Sequence, residues 1–337
     1  MLSGQAEEAV RAALAAVESE QASISEKVEM LMEMAMGLQT RPKAPEDIEA
    51  AVELYERALL ICPPDHYLLR ARVAARLGTA LQAIPGETTE HLERARDEYE
   101  AARAVLRDHG NDEELAELEM NLGLVAQSLA GMGRAKITDA IAAYQRSLRT
   151  FNKDAHPKEF AVLQNNLATA FLSIPFSDER SKMREALAVQ AFEEGLNVVT
   201  LIDHPSEYAM LQNNLGNALQ YASSSHAVEN NLRALEAYDE ALKVRTAETT
   251  PLEYANTISN KANCLWNLPD DPEQPADGNR DNLLQVRAYY REAQDIFASN
   301  GDAEKASLVD DALQQIASEL EQIPASQQNG AGIPAGA

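Results

Sequence analysis

Asn213, Asn217, Asn256, Asn260, Asn263 and Asn267 fall in two short stretches at spacings of three and four residues. Such spacing sets the members of each stretch on one face of a helix. An amide side chain both donates and accepts hydrogen bonds, so a row of amides can recognise the polar groups of another polypeptide, above all its main chain. Asparagine is a middling helix former, and its density here calls for a reason other than helix propensity. Arg70, Arg72 and Arg76 form a second strip, the one basic run on a helix of this type. It suits an acidic segment, either of a partner or of this chain.

Bond-making chemistry has little to work with. The six histidines are scattered and form no HExxH or HxxxH pair, and there is no GxGxxG, P-loop or GxSxG stretch. Cys62 and Cys264 lie far apart and read as buried structural thiols. Asp270, Asp271, Glu273, Asp277 and Asp281 make an acidic loop without EF-hand spacing. It reads as a solvated loop, with a cation site as the competing reading. No metal and no cofactor are expected.

The elements that carry these side chains repeat. A small-xxx-aromatic-xx-small pattern occurs at Ala51-Tyr55-Ala58, Ala95-Tyr99-Ala102, Ala140-Tyr144-Ser147, Ala188-Phe192-Gly195, Ala234-Tyr238-Ala241 and, with a departure at its first position, Val286-Tyr290-Ala293. The aromatics lie 44, 45, 48, 46 and 52 residues apart. Spacings of four and three place the trio on one helix face, where small residues admit a neighbouring helix and the ring fills the space between.

Ahead of each copy runs a helix marked by Leu and then Gly or Ala: Leu77-Gly78, Leu122-Gly123, Leu167-Ala168, Leu215-Gly216 and, with Lys in place of Leu, Lys261-Ala262. A glycine inside a helix costs about 1 kcal/mol relative to alanine, so its return at one place predicts close packing there. The N-terminal copy, near Met32 to Gly37, is too degenerate to align. Pro157, Pro205 and Pro251 suit a first helical position. Glu159, Glu207 and Glu253 follow two residues later, and Thr250 with Glu253 suits a capping box. Pro85, Pro175 and Pro269 end the first helix of their pairs.

The NNLG-NA stretch followed by A-xxx-Y-xx-AL resembles the tetratricopeptide repeat (TPR). The HP-x-x-A-x-x-x-NNLA pattern of His156 to Ala168 and His204 to Gly216 is more similar to the longer repeats of kinesin-light-chain type. The resemblance covers roughly residues 45 to 300. It implies an all-α, right-handed superhelical solenoid of αα-hairpins, about six repeats of roughly 46 residues. It also implies that first helices line a concave groove. The inward positions would then include Arg72, Arg76, Asn165, Thr169, Asn213, Asn217, Gln220, Asn256, Asn263 and Trp266, the last an apolar anchor and the single tryptophan. Asn121, Asn166, Asn214 and Asn260, just before the Leu column, read as structural hydrogen-bonding sites. For Asn165, Asn213, Asn217 and Asn263, packing and peptide contact stay open. Few Lys or Arg follow Arg76 at matching positions, so capture of a C-terminal carboxylate is not expected.

Residues 1–38 are expected to be lead-in helices, 39–300 the solenoid, 301–322 a capping helix and 323–337, rich in Gly, Ala, Pro and Gln, a disordered tail. The net charge of −25 sits in two acidic arms, with −8 over residues 86–120, +1 over 121–200 and −13 over 201–337. It argues against nucleic acid or an anionic membrane as partner, and the arms would attract a basic segment. With no membrane-length apolar run and no signal-peptide layout, the chain reads as soluble and cytoplasmic. The function these features favour is a non-enzymatic protein–protein interaction module, an adaptor, scaffold or assembly chaperone. The alternatives are a peptide-sensing signalling regulator and a metal-dependent accessory subunit of an enzyme.

Overall fold

The computed structural model describes residues 4–86, 89–175, 180–222, 226–274 and 278–323. The expected tail, apart from Ile323, and Asp277 of the acidic loop lie outside them. Among the described residues there are fourteen α-helices and no strand. The chain divides into two compact units, 1–175 and 176–337.

In the first unit α1 (Gly4–Ser19) packs on α2 (Ile24–Thr40) and α3 (Glu46–Ile61). The pairs α2/α3, α4/α5 (Tyr67–Gln82, Glu90–His109) and α6/α7 (Asp112–Gly131, Ile137–Ser147) follow in series, and α8 (Pro157–Leu172) packs on α7. In the second unit α9 (Arg180–Leu196) packs on α10 (Pro205–Gln220). The pairs α10/α11 (Ala227–Leu242) and α12/α13 (Pro251–Trp266, Arg280–Ser299) follow, and α14 (Ala303–Gln322) covers α13. Thus α2, which begins in the expected lead-in and runs two residues past it, is the first helix of a hairpin.

The repeated columns build the core. Every member of the six small-aromatic-small trios is buried, and each ring removed from water contributes about 2 kcal/mol. The recurrent glycines lie against those rings. A Cβ on Gly78 would come within 2.8 Å of the Tyr99 ring, on Gly123 within 2.3 Å of Tyr144, and on Gly216 within 2.6 Å of Tyr238. Glycine is therefore selected by the ring of its own hairpin. At Gly37 an added Cβ would meet nothing. The matching position of the first hairpin is the fully buried Ala35, four residues before Gln39, as Gly78 is before Gln82.

The entry to α8, α10 and α12 is one turn used three times. His156, His204 and Thr250 share φ near −138° and ψ near 62°, and the proline follows at the first helical position. The expected Thr250–Glu253 capping box does not form. Thr250 Oγ1 instead accepts the Thr246 amide at 3.3 Å, so the preceding turn has claimed it. Capping boxes occur at Ser23–Glu26 and Asn111–Glu114. As expected, α4, α8 and α12 each end three residues before Pro85, Pro175 and Pro269. No helix among the described residues is long and apolar enough to cross a membrane.

Candidate functional site

The candidate surface is the face of the first helices, and the second helices organise it from behind. In five hairpins the aromatic of the buried trio is tyrosine, and its hydroxyl reaches polar side chains of the first helix. Tyr55 donates to Gln39 Oε1 at 3.2 Å, and Tyr144 to Gln127 Oε1 at 2.8 Å. The Tyr99 hydroxyl lies 3.0 Å from Thr79 Oγ1 and 3.3 Å from Gln82 Oε1. That of Tyr238 lies 2.8 Å from both Asn217 Oδ1 and Gln220 Oε1, and Tyr290 donates to Asn263 Oδ1. Burial pushes the Tyr55 hydroxyl up to about 12 and raises Tyr99, Tyr144, Tyr238 and Tyr290 as well. These groups stay protonated, and each keeps one hydrogen to give.

Sequence columns that count only size and polarity miss this coupling. Its trace was present nonetheless. Glutamine stands one turn past the Gly/Ala column at Gln39, Gln82, Gln127 and Gln220, in hairpins whose ring is tyrosine. Where the ring is Phe192, that column holds Leu172.

The expected contact residues separate into three groups. Arg72 makes two bonds to Glu114, at 2.7 and 3.3 Å, and Arg76 one to Glu117 at 3.0 Å. Two members of the basic strip are thus engaged by the chain's own acidic segment, one hairpin further along, while Arg70 instead donates to the carbonyls of Leu59 and Cys62 at 2.9 and 2.7 Å. A cavity of about 50 Å³ remains beside these pairs, lined by Thr79, Tyr99 and Asn121 among others.

Asn165 and Asn213 are each only 7% exposed. Asn165 donates to Asn166 Oδ1 at 3.2 Å and Asn213 to Asn214 Oδ1 at 3.0 Å. Asn213 Oδ1 in turn accepts from Asn260 at 3.2 Å, joining α10 to α12. Thr169 accepts from Gln127 at 3.2 Å, joining α8 to α6. The last two bonds tie first helices together.

Asn217, Gln220, Asn256 and Asn263 are half-buried. The first and second share the Tyr238 hydroxyl, and the fourth turns its amide oxygen to that of Tyr290. Their other ends make no hydrogen bond to a described residue, and the Asn256 side chain makes none. Tyr221, at the end of α10, is 68% exposed beside them. Trp266 stacks edge-on against Tyr290, with centroids 6.4 Å apart, and its indole N–H donates to Glu319 of α14 at 2.8 Å. Its anchor is thus intramolecular.

Lys261, in the Leu column, pairs with Asp239 and lies 5.4 Å over the Tyr289 ring. Burial opposes its charge, but Asp239 outweighs that and its pKa is raised. Cys62 and Cys264 are buried and unpaired, and burial lifts the Cys264 thiol to about 12. In the acidic loop, Asp270 accepts the amides of Asp281 and Asn282 at 3.0 and 2.8 Å, and Asp271 accepts that of Glu273 at 2.8 Å. Asp270 thereby caps α13. Among the described residues no three His, Cys, Asp or Glu side chains are grouped to hold a metal ion.

No protein-family model and no curated protein matches the sequence. Solved structures do match. A signal transduction ATPase with numerous domains from Pyrococcus horikoshii, described as having a tetratricopeptide repeat sensor, matches with a TM-score of 0.55 and 17% identity. The match covers 91% of this chain and 42% of that one. BtubC (BKLC) from P. vanneervenii matches with a TM-score of 0.40 and 15% identity over 99% and 96% of the two chains. A Rap protein complexed with competence and sporulation factor gives 0.42 and 10% over 88% and 82%. The match to the ATPase shows the fold, αα-hairpin repeats of TPR type, as the sequence resemblance implied.

Proposed function

We propose that the protein is a non-catalytic interaction module that receives a segment of another polypeptide on the first-helix face of its second unit. One observation carries this reading. Asn217, Gln220, Asn256 and Asn263 stand half-buried on α10 and α12 with hydrogen-bonding capacity that no described residue uses, while comparable amides nearby, Asn213 and Asn260, are bonded to each other. Polar groups held in place on rigid helices, with their outer ends unpaired, suit a partner that supplies the missing bonds. The net charge of −25 opposes a polyanionic partner, and the acidic arms would speed encounter with a basic one.

The test is retention of partners from a lysate of the source organism by wild type and by an Asn217→Ala, Asn263→Ala variant, with circular dichroism confirming that both are folded. A partner retained by wild type and lost by the variant supports the face. Equal retention moves the site to the second helices. An adaptor or assembly chaperone would retain a folded protein. A sensor module, as the tetratricopeptide repeats of the Pyrococcus horikoshii ATPase are described, would here, if its ligand is a peptide, be stabilised against heat by a short peptide alone.

A further inference from the structure

The unused capacity has a polarity. A hydroxyl carries one hydrogen and accepts two bonds. The Tyr238 hydroxyl touches two amides at 2.8 Å, so it donates to one and satisfies the other only if that amide turns its NH2 inward. Of Asn217 and Gln220, one therefore shows N–H outward and the other shows C=O. Tyr290 meets Asn263 alone, donates to its oxygen and leaves its NH2 outward.

The second unit thus offers a donor and an acceptor one turn apart on α10 and a further donor on α12. The inward positions here (Asn213, Asn217, Gln220, Asn256, Asn263) carry no charge. A donor–acceptor pair matches the C=O and N–H of one residue in an extended chain. A helix has already spent those groups on itself.

We infer that the buried hydroxyls of Tyr238 and Tyr290 are positioning groups for recognition. From behind the face they make Asn217 and Gln220 point opposite ends outward and Asn263 its NH2, and so they select an extended, uncharged main-chain segment over a helix. This inference rests on the proposed function and specifies its occupant. The sequence columns support the coupling: glutamine precedes tyrosine in four copies, tryptophan (Trp266) precedes Tyr290 in a fifth, and leucine precedes phenylalanine in the one copy without a hydroxyl.

The experiment is a side-chain amide NMR titration of the full chain. The probes are a short blocked alanine–serine peptide, its analogue with ester oxygens replacing the central peptide N–H groups, and a hydrocarbon-stapled helix of the same composition. For wild type, the NH2 signals of Asn217, Gln220 and Asn263 move with the peptide, about five-fold more tightly than with the ester. The stapled helix leaves them in place. Tyr238→Phe brings the peptide-to-ester ratio close to one. Tyr238→Phe combined with Gln220→Leu, which copies the Phe192 and Leu172 columns, does the same while keeping the thermal midpoint near that of wild type. A packing defect would weaken both probes alike and leave the ratio intact, which would overturn the positioning role. Tighter binding of the stapled helix would overturn the extended occupant and leave the interaction face standing. Movement of signals only on other helices would overturn both readings.

Discussion

Between α4 and α6 the first-helix layer is joined by Arg72–Glu114 and Arg76–Glu117; between α10 and α12 the join is the Asn260–Asn213 amide bond. Arg76 and Asn260 occupy the same column, just before the Leu column, so one backbone frame has been closed in two ways. The charged join consumes the Arg72 and Arg76 guanidiniums that carry it, because both are already met by carboxylates. The amide join is short, lies within the layer and leaves other amides of α10 and α12 half-open to solvent. A repeat can therefore reserve or release a recognition surface by exchanging two columns without altering the hairpin beneath.

The largest effect is expected where charge pairing is buried. Glu119 is 4% exposed and is held by Arg103 and Arg146, each at 2.8 Å. Glu119→Ala leaves Arg146 without its carboxylate and Arg103 with only the longer pair to Glu100, at 3.3 Å, and a loss of about 3 kcal/mol is expected in urea denaturation. A loss below about 1 kcal/mol would show that charge pairing holds the first unit no better inside than at the surface.

The glycine column tests the frame that both regions share. Gly123→Ala and Gly216→Ala should each cost about 2 kcal/mol through overpacking against Tyr144 and Tyr238. Gly37→Ala, in open space, should gain up to about 1 kcal/mol from helix propensity. Thermal unfolding of the three variants separates close approach from propensity. A gain in all three would break the claim of a common frame.

Replacing both Arg72 and Arg76 by alanine should cost about 1 kcal/mol or less, since both pairs are partly exposed. Its effect should vanish in 1 M salt, whereas Asn260→Ala should show no dependence on salt.

The smallest effect is one of pH. Burial raises the Glu114 carboxyl, but the bond from Arg72 and the Asn111 amide outweigh it, and its pKa lies below the ordinary 4.5. A depressed pKa contributes stability that is present above the unfolded value and lost as pH falls through the folded one. Acid should therefore loosen the α4–α6 join below about pH 4.5, and Glu114→Gln should flatten that limb of the stability curve.

The hairpin frame was legible because three signals repeat at one period: the trio, the Leu-Gly step and the prolines. The register of the first hairpin was not, since Gly37 imitates the glycine column while Ala35 fills it. The capping box failed because Thr250 had a second suitor, Thr246, within the same turn. In the candidate site, the amides of α10 and α12 stood out by type and spacing. What they do with each end did not, for it depends on hydroxyls some 18 to 27 residues further on. The acidic partners of Arg72 and Arg76 lie 42 and 41 residues away. A sequence shows that charges of both sign are present but not which of them face each other.

The contact between glycine and tyrosine has a kinetic consequence. Gly78 and Tyr99, Gly123 and Tyr144, and Gly216 and Tyr238 are separated by only 21 or 22 residues. The closest packing in each hairpin is thus made within a short loop of chain, where closure costs little entropy. Chains rich in such local contacts fold fast, and any hairpin can serve as the nucleus from which its neighbours are ordered. A gene encoding this architecture can accordingly lengthen or shorten by one whole hairpin, each insertion arriving with its own ring and its own notch to receive it.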